Sequence, residues 1–184
     1  MLGKTLPIGK IGALCRARGV LFAVDAAQTA GVLPINMREM NIDYLCIAPH
    51  KGLYAPMGVG VLICEQPIEN TLIEGGTGTN SAETVQPDFL PERLESGTIN
   101  VPEIMGISAG IDYVNRLRTD RLYTHEIGLT AMLWPELSKM PHIKLYTNKP
   151  EPYAFAPVIS FNVKGRKSAE TAAYLNEKGI AVRG

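Results

Sequence analysis

The sequence predicts an α/β protein: a mostly parallel sheet with helices, followed by the start of a smaller α/β unit. Three observations predict it. Short apolar runs, Val20–Val24, Tyr44–Ile47 and Gly58–Cys64, alternate with segments of helical spacing. Runs of that kind mark strands buried on both faces of a parallel sheet. Polar residues gather just past two of the runs, Asp25 and Gln28 after the first and His50 and Lys51 after the second. The helix–strand pattern then restarts beyond residue 118, and 184 residues suffice for one domain and part of another.

The elements follow in order. Pro7–Arg18 reads as a helix, with proline in its first turn, Ile8, Ile11, Leu14 and Cys15 on one face, and Gly19 as its stop. The strand Val20–Val24 ends at Asp25, and a short helix is expected over Met37–Met40. Tyr44–Ile47 and Gly58–Cys64 are the next strands. Gly75–Asn100, rich in Gly, Thr, Ser, Pro and Glu, predicts a long ordered loop, and such loops in compact domains are usually functional. Pro102–Leu117 is a helix with Ile104, Ile107, Ile111 and Val114 on one face, and Arg121–Met140 is another, which Pro135 would kink or split. Ile143–Tyr146 and Val158–Val163 read as strands, Ser168–Lys178 as a helix capped by Ser168, and Ile180–Arg183 as the start of a further strand. The domains divide as 1–118 and 119–184.

Composition narrows the function. Eighteen basic residues cancel eighteen acidic ones, which leaves no electrostatic footprint for nucleic acid or an anionic membrane. No apolar run approaches the roughly 20 residues of a membrane span, and the start at Met1-Leu2-Gly3-Lys4 has no secretory h-region. Cys15, Cys46 and Cys64 make no metal-ligand spacing, so no metal site is expected, and they read as free thiols of a cytoplasmic protein.

Ligands of open α/β sheets bind outside the carboxyl ends of the strands. There an acid (Asp25), an amide (Gln28), an imidazole (His50) and an amine (Lys51) could converge on one small molecule. Pyridoxal 5'-phosphate (PLP) needs this set. Its aldehyde takes a lysine amine, its pyridine nitrogen a carboxylate, and its phosphate backbone N–H groups and hydroxyls. Gly75, Gly76, Thr77, Gly78 and Thr98 are candidates for the phosphate.

Four separated motifs make the comparison specific: Val24-Asp25-Ala26-Ala27-Gln28, Asp43, the stretch from His50-Lys51-Gly52 to Gly58-Val59-Gly60, and Arg93 to Asn100. In order and spacing they resemble the class V aminotransferase and cysteine desulfurase family of PLP enzymes, and the desulfurase and selenocysteine lyase branch most closely. Gly75–Gly78 followed by Gln86–Pro91 fits a desulfurase-like subgroup. The resemblance implies that residues 1–118 are the C-terminal half of a PLP-binding large domain and 119–184 a connecting helix and incomplete small domain. It implies Lys51 as the lysine that forms the Schiff base and shuttles the substrate's α-proton. Asp25 would pair with the pyridinium nitrogen, Gln28 with the phenolic oxygen, and His50 with the phosphate. Thr98 would reach the phosphate of a neighbouring subunit's cofactor, hence a homodimer with shared sites. Gly58 and Gly60 would keep the backbone close behind the lysine.

The implied reaction is C–S cleavage of cysteine to alanine with sulfur transfer. Transamination of a small amino acid and a non-catalytic remnant are the other readings. Ala48 stands where many desulfurases have a phosphate-binding hydroxyl, and Ala55 where glycine is common. The resemblance also implies a chain truncated at both ends, without the loop that carries the catalytic cysteine. Poor PLP binding, self-association and little turnover are therefore expected of it alone.

Overall fold

The computed structural model describes residues 2–76, 78–80 and 82–184, so Met1 and Thr77, both invoked above, lie outside the described residues. The chain forms two compact units, one of Ile8–Leu117 and one of Met1–Pro7 with Arg118–Gly184.

The first unit contains helix α1 (Ile8–Ala17), strands β1 (Ala23–Asp25), β2 (Tyr44–Ile47) and β3 (Val61–Cys64), a 3-10 turn at Glu92–Leu94, and helix α2 (Val101–Leu117). The sheet order is β1-β2-β3. The β1–β2 pair is parallel, with Asp25 beside Cys46, and β3 runs antiparallel to β2. One face of this sheet carries the core, in which Ala26, Ile42 and Leu45 are buried among Ile8, Phe22, Val24, Met37 and Met40. The other face is open: Ala23, Asp25, Cys46, Leu62 and Cys64 are exposed. The apolar runs are thus covered on one side only, and Val20 and Leu21 precede the strand, exposed.

Several details differ from the sequence expectation. On α1, Ile8, Ile11, Gly12 and Cys15 turn inward, while Leu14 is exposed. Gly12 lies so close against the Met40 carbonyl that no Cβ fits there. Met37–Met40 forms a hydrogen-bonded turn in place of a helix, in which Asn36 Oδ1 accepts the N–H groups of Arg38 and Glu39 and draws the backbone into an Asx turn. On α2 the inward stripe is Gly106, Ile107, Gly110 and Val114, and Ile104 and Ile111 face outward. The long loop is there, broken by the 3-10 turn. Asp43 ties the sheet together: it is buried, and its carboxylate accepts the Phe22 N–H at 2.7 Å.

The second unit holds helices α3 (Thr119–Lys139) and α4 (Ser168–Glu177) and an antiparallel pair, β4 (Ile143–Leu145) with β5 (Phe161–Val163). Pro135 sits inside α3, which continues unsplit to Lys139. Tyr123, Ile127 and Thr130 form the buried face of α3 at helical spacing. The Tyr123 hydroxyl donates to the Phe155 carbonyl at 2.8 Å and accepts the Tyr153 N–H at 2.6 Å. Residues 3–5 join this unit: Lys4 bridges to Phe155, and the Thr5 N–H donates to the Ala154 carbonyl at 2.9 Å. Lys167, not Ser168, is the N-cap of α4, and Ile180–Arg183 has no strand structure. The Lys167 N–H is answered by the Glu170 carboxylate, so the polar partner of this helix start stands three residues inside the helix.

Candidate functional site

Parallel pairing of β1 and β2 puts the carboxyl ends of both strands on one edge of the sheet. Asp25 is the last residue of β1, and β2 ends at Ile47, four residues before Lys51. The Ala26 N–H donates to the Cys46 carbonyl at 2.8 Å and carries the chain off the sheet directly beside β2. Residues 26–33 then wind into turns, in which the Ala30 N–H reaches the Ala26 carbonyl at 2.9 Å and the Leu33 N–H reaches the Thr29 carbonyl at 2.8 Å. Gln28 lies on this segment, exposed.

His50 and Lys51 occupy a second turn after β2. The Lys51 N–H donates to the Ala48 carbonyl at 3.1 Å, the Tyr54 N–H to the Lys51 carbonyl at 3.0 Å, and the Ala55 N–H to the Pro49 carbonyl at 3.1 Å. Pro49 is fully buried and anchors the turn, while the side chains of His50 and Lys51 stay exposed. Asp25, Gln28, His50 and Lys51 therefore share one edge of the sheet. Asp25 Oδ1 accepts the Ala27 N–H at 2.9 Å, and among the described residues Oδ2 accepts none. The side chains of Gln28, His50 and Lys51 likewise make no hydrogen bond among the described residues, so this polar set faces outward with its bonding capacity unused.

Thr98 lies just before α2, exposed. It stands beside part of the glycine cluster. The Gly97 N–H donates to the Gly76 carbonyl at 2.7 Å, and Gln86 Nε2 donates to the Gly75 carbonyl at 3.0 Å. Gly76 and Gly97, 21 residues apart in sequence, thus join their two segments into one local structure. Arg93 is a structural tie, its guanidinium donating to the Glu69 carbonyl.

Glycines that the sequence reading passed over organise the lysine turn. A Cβ on Gly31 would collide with the Gly52 carbonyl, and one on Gly52 with the Ala30 carbonyl. Farther along, Gly106 of α2 packs against Pro56 and Gly110 against the Leu53 carbonyl. The spacing of Gly106 and Gly110, four apart in a helix, was the available signal. Gly58, with φ +110°, does approach other atoms closely, at the Glu103 carboxylate, whereas Gly60 has room around it.

One thiol borders this polar edge, since Cys46 pairs directly with Asp25. Cys46 and Cys64 lie on neighbouring strands of the open sheet face, and the apolar surroundings, then the nearby Cys46, push the Cys64 thiol pKa up. Among the described residues no group of three His, Cys, Asp or Glu side chains could hold a metal ion, and no helix is long and apolar enough to cross a membrane.

Comparison with known proteins gives one answer. The family model described as aminotransferase class-V matches residues 1–184. A probable cysteine desulfurase of Methanothermobacter thermautotrophicus is 32% identical over 99% of this chain and 46% of its own length. One from Chlamydia trachomatis is 33% identical over 98% of this chain and 46% of its own. The apo structure of a cysteine desulfurase from Thermococcus onnurineus superposes with a TM-score of 0.78 at 32% identity, covering 99% of this chain and 46% of that one. The chain thus spans less than half the length of these relatives.

Proposed function

The chain belongs to the class V aminotransferase family, and from that premise we propose that it carries the lysine half-site of a PLP-dependent cysteine desulfurase. The observation that carries this reading is the placement of Asp25 and Lys51 at adjacent carboxyl ends of two parallel strands. The residues present fit PLP. An amine, a carboxylate with an unused oxygen, an amide and an imidazole share that edge, and none is held by a competing hydrogen bond among the described residues apart from the Ala27 N–H on Asp25.

PLP, when bound, supplies an electron sink for the bond broken at the substrate's α-carbon. This chain's residues supply the rest. Lys51 Nζ would hold the cofactor aldehyde and would then take the α-proton. Asp25 would keep the ring nitrogen protonated, Gln28 would hold the phenolic oxygen, and His50 the phosphate. Thr98, beside the glycine loop, would reach the phosphate of a second subunit in a homodimer. The substrate is cysteine. The C–S bond breaks, the sulfur passes to an acceptor thiol as a persulfide, and the α-proton and the thiol proton end on alanine.

Burial, then the neighbouring Cys46, raises the Cys64 thiol pKa and so disfavours the thiolate an acceptor needs. The family resemblance puts the acceptor thiol on a loop that none of Cys15, Cys46 and Cys64 occupies. Three free cysteines suit a reducing compartment, the cytoplasm.

The test is absorbance on PLP addition, borohydride reduction and peptide mapping, with Lys51→Ala as control. A reduced adduct on Lys51, absent from the variant, is expected. With dithiothreitol added to reduce the persulfide, cysteine should then yield alanine and sulfide at a low rate. Label scattered over other lysines would overturn the cofactor assignment. A keto acid in place of alanine would move the reaction to transamination.

A further inference from the structure

The turn after β1 and the turn after β2 meet backbone to backbone, and the meeting point is glycine on both sides. Gly31, at φ +81°, leaves no space for a Cβ between itself and the Gly52 carbonyl, and the Leu53 side chain closes the gap at 3.0 Å from the same point. Gly52 in turn faces the Ala30 carbonyl, with Val32 Cγ2 at 2.9 Å from where its Cβ would stand. The contact is reciprocal, and each turn holds one part of the proposed site: Gln28 lies three residues before Gly31, and Lys51 immediately before Gly52.

We propose that Gly31 and Gly52 are positioning residues that set the distance between the Lys51 amine and the Asp25–Gln28 edge. The proposal rests on the reading of Lys51 as the cofactor lysine. Its physical basis is that backbone oxygens cannot rotate away as a flexible side chain can. A methyl group at either glycine has to push one turn off the other by about 1 Å, a misplacement that costs a bound reactive group roughly 100-fold. The glycines touch no cofactor themselves and act through the two turns.

Gly52→Ala is the sharper variant, because its backbone is outside the left-handed region and crowding is the only change. Gly12→Ala is the matched control. It is more tightly crowded, against the Met40 carbonyl, in the same unit but on α1. Leu53→Ala loosens the contact without adding a clash and serves if crowding prevents folding. Two readouts are taken on the full chain: PLP dissociation constant with the site of borohydride labelling, and cofactor-free amide exchange at Val32 and Leu33.

Gly52→Ala is expected to weaken PLP binding at least tenfold and spread label away from Lys51. It should also speed exchange at Val32 and Leu33, across the contact. Gly12→Ala should lower the melting temperature and leave labelling on Lys51. Where Gly52→Ala does not fold, Leu53→Ala should weaken PLP binding severalfold. PLP binding within twofold of wild type in Gly52→Ala overturns the proposal, or in Leu53→Ala where that variant replaces it. An equal loss in Gly12→Ala also overturns it. Failure of the wild type to label Lys51 overturns the functional reading instead. The exchange rates then decide whether the two turns are coupled at all.

Discussion

Residues split into those whose role follows from chemistry alone and those whose role follows from surroundings. The roles proposed for Lys51 and Asp25 are of the first kind, since an amine and a carboxylate after two apolar runs read as a candidate site on chemical type alone. Asp25→Ala should lower PLP affinity tenfold or more without moving the melting temperature, because the exposed carboxylate holds only a local turn N–H; equilibrium titration and a thermal melt check both halves. Tyr123 and Glu126 are of the second kind. Tyr123→Phe strands the Phe155 carbonyl and the Tyr153 N–H, and should cost about 1–3 kcal/mol in urea unfolding. Burial, opposed in part by His125, raises the pKa of the Glu126 carboxyl. A raised folded pKa contributes stability below the unfolded value, and that contribution is lost as pH rises through the folded one. Glu126→Gln should therefore raise the melting temperature at pH 7 and leave it unchanged below about pH 4. Nothing in the order of residues announced the role of Tyr123, because its partners, Tyr153 and Phe155, stand 30 and 32 residues away.

Elements were legible where period and punctuation agreed. The four helices fall within two residues of the segments read from spacing, since Pro7, Gly19 and the apolar repeats act locally. Faces were less legible. Ile104 and Ile111 looked like core on α2, yet the helix turns Gly106 and Gly110 inward, because the loop at 53–56 needs close approach more than it needs side-chain volume. Hence opposite outcomes are expected for one change at two helical glycines. Gly110→Ala should destabilise despite the better helix propensity of alanine, since the Leu53 carbonyl stands in its way. Gly128→Ala on α3, with open space around it, should stabilise by up to about 1 kcal/mol. Thermal melts of the two variants against wild type check the signs.

At the scale of the molecule, the open face of the first unit's sheet is the dominant feature. Leu62 is 50% exposed there, with Ala23, Cys46 and Cys64 around it. An apolar face of this kind drives association. Sedimentation velocity should show concentration-dependent self-association that Leu62→Glu reduces; a monomer at every concentration would contradict it. The fold class and the positions of the four long helices were determined by the sequence itself, and Lys51, Asp25, Gln28 and His50 were nominated by it, because apolar periodicity, capping and chemical type are local properties. The tertiary structure alone decided the direction of β3, the single covered face of the sheet, the seating of residues 3–5 with the second unit, and the glycine contact between the two site turns. Each of those depends on which distant backbones come within a few ångströms of each other, and a glycine gives no sign in sequence of what lies against it.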